Sequence, residues 1–167
     1  MLKSNRIKAA VVTVSDKASR GEREDKSGEV VSEVLSNAKI DVLRREVVAD
    51  ELEELKKLLI ELSDSGFDLI VTTGGTGISP RDITPEATLS VVQKEIPGMA
   101  EAMRFESRKK TPYAMISRAV CGMRGRTIII NLPGSPSGAR ECLEVVMPAI
   151  PHAVEVASGS AHECASK

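Results

Sequence analysis

The run Phe67-Asp68-Leu69-Ile70-Val71-Thr72-Thr73 passes without a break into Gly74-Gly75-Thr76-Gly77. An aliphatic, β-branched run of strand length, stopped by Gly66 before it and by glycines after it, reads as a strand buried on both faces. Such strands belong to sheets covered by helices on either side, so the flanking sequence has to supply those helices.

Upstream, Ile7 to Ser15 (IKAAVVTVS) and Ile40 to Val48 are further strand candidates. Between them, Asp16 to Lys26 reads as a polar loop. Ser27 then stands as the cap of a helix carrying Val30, Val31, Val34 and Leu35 at helical spacing. After Asp50, the residues Leu52, Leu55, Leu58, Leu59 and Leu62 line one face of a helix ending near Gly66. Downstream, Thr84-Pro85-Glu86 looks like a helix start with a hydroxyl cap, and the pattern predicts a helix to about Glu95. A second helix is expected over Met99 to Ser107, and the segment from Met115 to Cys121 is left unassigned. Arg126 to Asn131 reads as a fourth strand, followed by a helix through Leu143, Val146 and Met147 that Pro148 and Pro151 kink or restart. From Ser158 the composition is that of a frayed tail. Strands alternating with helices predict an α/β fold with a mostly parallel sheet. The 167 residues, 41% hydrophobic, fit one domain over 1–167, with its core at about 6–159 and a tail at 160–167.

Composition removes several function classes. With 23 basic residues against 24 acidic, a net charge of -1, and only Phe67, Phe105 and Tyr113 as aromatics, the chain lacks the charge and stacking surface of a nucleic-acid binder. No apolar run is long enough to span a bilayer, and the first residues have no signal-peptide pattern, so no membrane role and a cytoplasmic location are expected. Cys121, Cys142 and Cys164 form no C-x-x-C pair, which argues against a disulfide framework or a thiolate zinc site; the first two read as small hydrophobes. His152 and His162 both fall late in the chain and support no Cys-His pair. Arg108-Lys109-Lys110 reads as a solvated cluster.

In open parallel sheets ligands bind beyond the carboxyl ends of the strands. The residues following the expected strands are Asp16, Asp50, Gly74 to Asp82, and Asn131 to Ser135. On parallel strands all four groups share one edge, which favours a site for anions or a metal. Gly74-Gly75-Thr76-Gly77 lets backbone amides approach a phosphate, or is a bare turn. It ends in no Gly-Lys-Ser/Thr and has no third glycine of a dinucleotide fingerprint. Asp82 reads either as a Mg²⁺ ligand or as a turn aspartate. Asp50 opens the sequence Asp50-Glu51-Leu52-Glu53, a capping box in outline, and is otherwise an acid facing a metal-bound water. Asp16 is a ligand-orienting acid or a loop-start residue. Asn131 and the Pro133-Gly134-Ser135-Pro136 turn offer amide and hydroxyl groups to a phosphate, or Ser135 caps the next helix.

At Thr72 to Gly77 followed by Pro80-Arg81-Asp82-Ile83-Thr84-Pro85-Glu86-Ala87, the chain resembles the MogA-type molybdopterin adenylyltransferases and the related G domains of gephyrin-type fusion proteins. The resemblance continues through Pro97-Gly98, Ser117-Arg118, Ile129 to Pro136 and Glu141-Cys142-Leu143, and covers roughly residues 6 to 159. It implies a three-layer α/β/α sandwich, assembly as a homotrimer, and Mg²⁺-dependent adenylylation of molybdopterin by ATP with release of pyrophosphate. Carried over by position, the essential acids fall on Asp50 and Asp82, which are also the expected metal ligands. The pterin and nucleotide contacts fall on Gly74, Gly75, Thr76 and Gly77 and on Pro133, Gly134 and Ser135, and Thr13, Ser15 and Asp16 match the end of the family's first strand. Ala49 stands where relatives often carry proline. A MoaB-like sister group shares the glycine loop, often forms hexamers, and includes members that have lost the transferase activity and would bind molybdopterin as carriers or scaffolds. Such members commonly differ at the Arg-Asp-x-Thr-Pro segment, which this chain keeps as Arg81 to Pro85. The resemblance also implies a later partner protein that inserts molybdate. A nucleotide-pyrophosphate hydrolase is a third reading that no residue specifically supports.

Overall fold

Ala9 and Val11 point to one face of a sheet and Ala10 and Val12 to the other, and all four are buried, as a strand covered on both sides requires. The computed structural model describes residues 6–160. Its strands are β1 (Lys8–Val14), β2 (Asp41–Val48), β3 (Leu69–Thr73), β4 (Lys94–Glu95), β5 (Cys121–Arg124) and β6 (Thr127–Leu132). They form one six-stranded sheet in the order β2-β1-β3-β6-β5-β4. The first four strands in that order run parallel, while β5 and β4 run antiparallel to their neighbours. The helices are α1 (Asp16–Ser19), α2 (Lys26–Asn37), α3 (Leu52–Asp64), α4 (Thr84–Val91), α5 (Pro97–Arg108), α6 (Pro136–Val146) and α7 (Ile150–Ala157).

Helices cover both faces, so the architecture is the three-layer sandwich expected. On one face Val31 and Leu35 of α2, Met99 and Met103 of α5, Leu143 and Val146 of α6 and Val154 of α7 pack against Val11, Val71 and Ile130. On the other, Leu55, Leu58, Leu59 and Leu62 of α3 and Ala87 and Val91 of α4 pack against Val12, Ile70 and Ile129. The leucine stripe of α3 is thus its buried face. Cys121 and Cys142 are buried free thiols, and burial pushes the Cys121 thiol up to about 12. Cys164, His162 and most of the tail expected at 160–167 lie outside the described residues.

Several local expectations are corrected. The polar stretch after β1 contains α1, one turn capped by Ser15 Oγ, which accepts from the Ala18 amide. The cap of α2 is Asp25, whose carboxylate accepts from the Gly28 amide, while Ser27 is buried inside the first turn. Ile83 occupies the cap position of α4, and the Thr84 hydroxyl instead donates to the Gly74 carbonyl at 2.8 Å. That helix stops at Val91, because Lys94 and Glu95 pair with Met123 and Gly122 as an edge strand. The unassigned segment Met115 to Cys121 begins in the end of a 3-10 helix (Pro112–Ile116) and runs into the first residue of β5. Pro148 falls in a 3-10 turn (Met147–Ala149), after which α7 restarts.

Candidate active site

The register of the parallel strands decides where the polar residues meet. Thr13 pairs with Thr73 and with Val47, and Thr73 pairs with Leu132, so all four strands finish at one level. The residues that follow them therefore emerge together, around a cleft of about 780 Å³ lined by Thr13, Ser15, Asp50, Gly74, Gly75, Asp82, Gly134 and Ser135 among others. This is the convergence expected from the pattern of strands.

Two glycines form the floor. Gly74 has φ 98 and Gly75 φ 65, and a Cβ on Gly74 would run into the Val14 carbonyl. A Cβ on Gly75 would strike the Thr84 hydroxyl and stand 3.2 Å from Asp50 Oδ1. No side chain fits between β1, α4 and this turn, and the left-handed backbone suits glycine. The second glycine turn closes against the first, since a Cβ on Gly134 would sit 3.2 Å from the Gly74 Cα. Ser135 caps α6 by accepting from the Gly138 amide at 3.1 Å, so the N-terminus of this helix opens on the cleft wall.

The two aspartates at the ends of β1 and β2 are tied to each other. The Asp16 amide donates to Asp50 Oδ2 at 2.9 Å and the Asp50 amide donates to Asp16 Oδ1 at 3.0 Å. The capping box expected at Asp50 does not form. The Glu51 amide donates to the Ala49 carbonyl at 2.8 Å, a tight turn that leaves Glu51 at the helix boundary without a side-chain capping bond and keeps Asp50 with the strand ends. The Arg81 guanidinium makes a two-pronged pair with Asp16, at 3.0 Å on each arm, and reaches Glu51 Oε1 at 2.8 Å. The environments then separate the two acids. Arg81, followed by the Asp50 amide, holds the Asp16 carboxyl below its ordinary range. Burial, followed by the charges of Asp16 and Asp82, pushes the Asp50 carboxyl up.

Asp50 Oδ2 takes the Asp16 amide and Asp82 Oδ2 takes the Ser79 amide at 2.8 Å, leaving the other oxygen of each carboxylate without a hydrogen bond among the described residues. Mg²⁺ keeps several waters and binds through one or two carboxylates plus phosphate oxygens. Two carboxylates with uncommitted oxygens on one cleft fit that donor set. Among the described residues no group of three or more acidic, histidine or cysteine side chains would cage a metal alone.

Not every expected residue faces this cleft. Asn131 is fully buried: its amide nitrogen donates to Thr72 Oγ1 at 3.0 Å and Thr88 Oγ1 at 2.9 Å, and its oxygen accepts from the Val120 amide. It joins the sheet to α4 and offers nothing to a ligand. The glycine loop also divides. Gly74 and Gly75 line the cleft, whereas Thr76 and Gly77 line an adjoining hollow of about 290 Å³ with Pro133, Met103, Tyr113 and Ile116. Ser135 borders both. Asp16 stands behind the cleft as the partner of Asp50, and the Thr13 hydroxyl donates to Asp25 Oδ1 at 2.8 Å.

Two contributors were not anticipated. Asp25 lines the cleft with Arg23 and Lys26, caps α2, and pairs with Arg45 at 3.2 Å. The stretch Asp25-Lys26-Ser27-Gly28 did hold a cap signal, two residues ahead of the expected serine. Arg118 reaches from the segment before β5 to the Gly77 and Asp82 carbonyls and to Glu86. No local pattern announces a contact across that distance in sequence.

Comparison with known proteins gives the family of the chain. A family model described as "probable molybdopterin binding domain" matches residues 10–152. A molybdopterin adenylyltransferase of Helicobacter pylori (strain J99) is 49% identical over 157 residues, covering 92% of this chain and 89% of that protein. The crystal structure of the molybdopterin biosynthesis enzyme MoaB from Thermus thermophilus is 50% identical with a TM-score of 0.87, covering 92% of this chain and 97% of that one. A MogA structure is 41% identical with a TM-score of 0.86, covering 90% of this chain and 99% of that one. The matched span takes in both glycine turns, both cleft aspartates and the strands that carry them, and on that basis the chain belongs to the molybdenum-cofactor-biosynthesis family of molybdopterin-binding domains.

Proposed function

We propose that the chain is a molybdopterin adenylyltransferase that uses ATP and Mg²⁺. The terminal phosphate of the pterin attacks the ATP α-phosphorus; a new phosphorus–oxygen bond forms, the bond to the β-phosphate breaks, and pyrophosphate leaves. Such a transfer needs two polyanions held in line and their charge offset, and it needs no protein nucleophile. The observation that carries the reading is that Asp50 and Asp82 line one cleft together with the Gly74–Gly75 turn and the Ser135 turn.

In this reading Asp50 and Asp82 hold Mg²⁺, which when bound offsets charge developing on the phosphate oxygens. The glycine backbone lets phosphates approach without side chains in the way, and the α6 N-terminus adds a positive pole. Asp16 keeps Asp50 turned toward the floor. Arg23 and Lys26 at the rim attract the polyanions. The chain acts as a homotrimer in the cytoplasm and passes its product to a protein that inserts molybdate. Light scattering reads the assembly: three chains agree with this reading, and six point to the sister group.

The test is anaerobic incubation of purified protein with molybdopterin, ATP and Mg²⁺, following adenylylated pterin and pyrophosphate together by chromatography. Equal amounts of both products are expected. Pterin binding with neither product would replace the enzyme by a carrier, and pyrophosphate without adenylylated pterin would replace it by a hydrolase.

A further inference from the structure

Asp82 sits on the irregular stretch between β3 and α4, and the side chain that holds this stretch comes from far along the chain. Arg118 Nε donates to the Gly77 carbonyl at 2.6 Å, Nη2 donates to the Asp82 carbonyl at 2.9 Å, and Nη1 pairs with Glu86 in the first turn of α4. Its own amide donates to the Thr76 carbonyl at 2.9 Å. One planar guanidinium thus grips the loop at both ends and the helix that follows it. A lysine ammonium, a single point of charge on a flexible stem, lacks this fork of fixed donors.

Arg118 lines neither the cleft nor the adjoining hollow. Two of its three side-chain partners are backbone carbonyls, so its effect passes through the peptide of Asp82. We infer that Arg118 is a positioning residue for the metal-binding half of the site: it fixes the Asp82 peptide so that this residue stays on the wall of the cleft that Asp50 also lines. The inference rests on the reading of Asp82 given under Proposed function. Groups that orient metal ligands without touching the metal commonly matter about 10- to 100-fold in metal affinity.

The test compares Arg118→Met and Arg118→Lys with Glu86→Gln, which removes the ion pair and leaves both carbonyl bonds. Two readouts do not depend on turnover: hydrogen exchange of the Gly77–Ile83 amides, and Mn²⁺ binding in the presence of ATP without pterin, followed by water-proton relaxation. Arg118→Met is expected to speed exchange in this loop but not in β3 or β6, and to weaken Mn²⁺ binding by about 10-fold or more. Arg118→Lys should recover part of the loss, and Glu86→Gln should change Mn²⁺ binding by about twofold at most, as for an exposed pair. Unchanged loop exchange and Mn²⁺ affinity in Arg118→Met would overturn the inference, as would a loss in Glu86→Gln equal to that in Arg118→Met. If the methionine variant does not fold, the lysine variant supplies the same two readouts. If the wild type binds no Mn²⁺ with ATP, the metal reading of Asp82 falls, and loop exchange alone still decides whether Arg118 holds the loop.

Discussion

The parallel and antiparallel parts of the sheet serve the site in opposite ways. In β2, β1, β3 and β6 the residues that leave each strand reach the cleft: Asp50, Ser15, the Gly74–Gly75 turn and the Gly134–Ser135 turn. In β5 the direction is reversed, with Cys121 opposite Ile130, so the residues entering the strand lie at the same edge. Those residues are Ser117, which lines the side hollow, and Arg118, which grips the Asp82 loop. The rule that sites gather after strands holds for the parallel part and inverts where the sheet turns antiparallel. Asn131 is the joint, bonded to Thr72 of β3, Thr88 of α4 and the Val120 amide at the entrance to β5.

The sharpest way to break this comparison is to remove charge from the cleft while leaving the sheet alone. Asp82→Asn is expected to lower turnover by about 100-fold or more, since a lost metal ligand is worth several kcal/mol of transition-state stabilisation. The folding midpoint should barely move, and adenylyl-pterin assays paired with a melting curve check both halves. Asn131→Ala should do the reverse. It leaves buried donors and acceptors unpaired on three elements and should cost about 2–4 kcal/mol in urea unfolding.

Smaller effects refine the roles of individual residues. Ser135→Ala removes the α6 cap and should cost about 1 kcal/mol, lowering the midpoint by about 2–4 °C in calorimetry. Asp50→Asn tests the acid that the tight Ala49–Glu51 turn takes away from the helix cap. Burial and the neighbouring acids raise the Asp50 carboxyl in the folded state. A group raised on folding contributes stability that is present below its unfolded value and lost as pH rises through its folded value. Near neutral pH the charge is therefore a cost, and the asparagine variant should be slightly more stable, by about 0.5 kcal/mol after solvent screening. That gain should vanish as the pH falls toward the ordinary carboxylate range. A destabilised Asp50→Asn at pH 7, read by urea midpoints across pH, would show that the acid supports the helix after all.

Most of the parallel part of the fold was legible because β1, β3 and β6 are buried on both faces and write nearly unbroken apolar runs, while the edge strand β2 carries charged residues, and because α3 shows its leucine stripe. Those strand ends put Asp50, the Gly74–Asp82 stretch and the Asn131–Ser135 stretch on one edge, and the family resemblance singled out Asp50 and Asp82 among them. The strands β4 and β5 left no such trace. Lys94 and Glu95 are exposed edge residues, and Gly122 and Arg124 break any alternation, so their pairing rests on backbone bonds that composition does not record. The capping readings at Asp50, Ser27 and Thr84 failed for a related reason. Each residue type suits a cap, and which neighbour its side chain met was decided by loops packed against distant strands.

The sequence by itself determined the layer structure, the edge on which the site lies and the acids and glycines that build it, because hydrophobic periodicity and chain direction are local properties. Only the tertiary structure decided that Asp16 and Asp50 lock together, that the glycine loop splits between two cavities, that Asn131 turns inward, and that Arg118 holds the Asp82 loop. Those contacts join residues tens of positions apart, and their geometry exists only once the sheet has set the register of its strands.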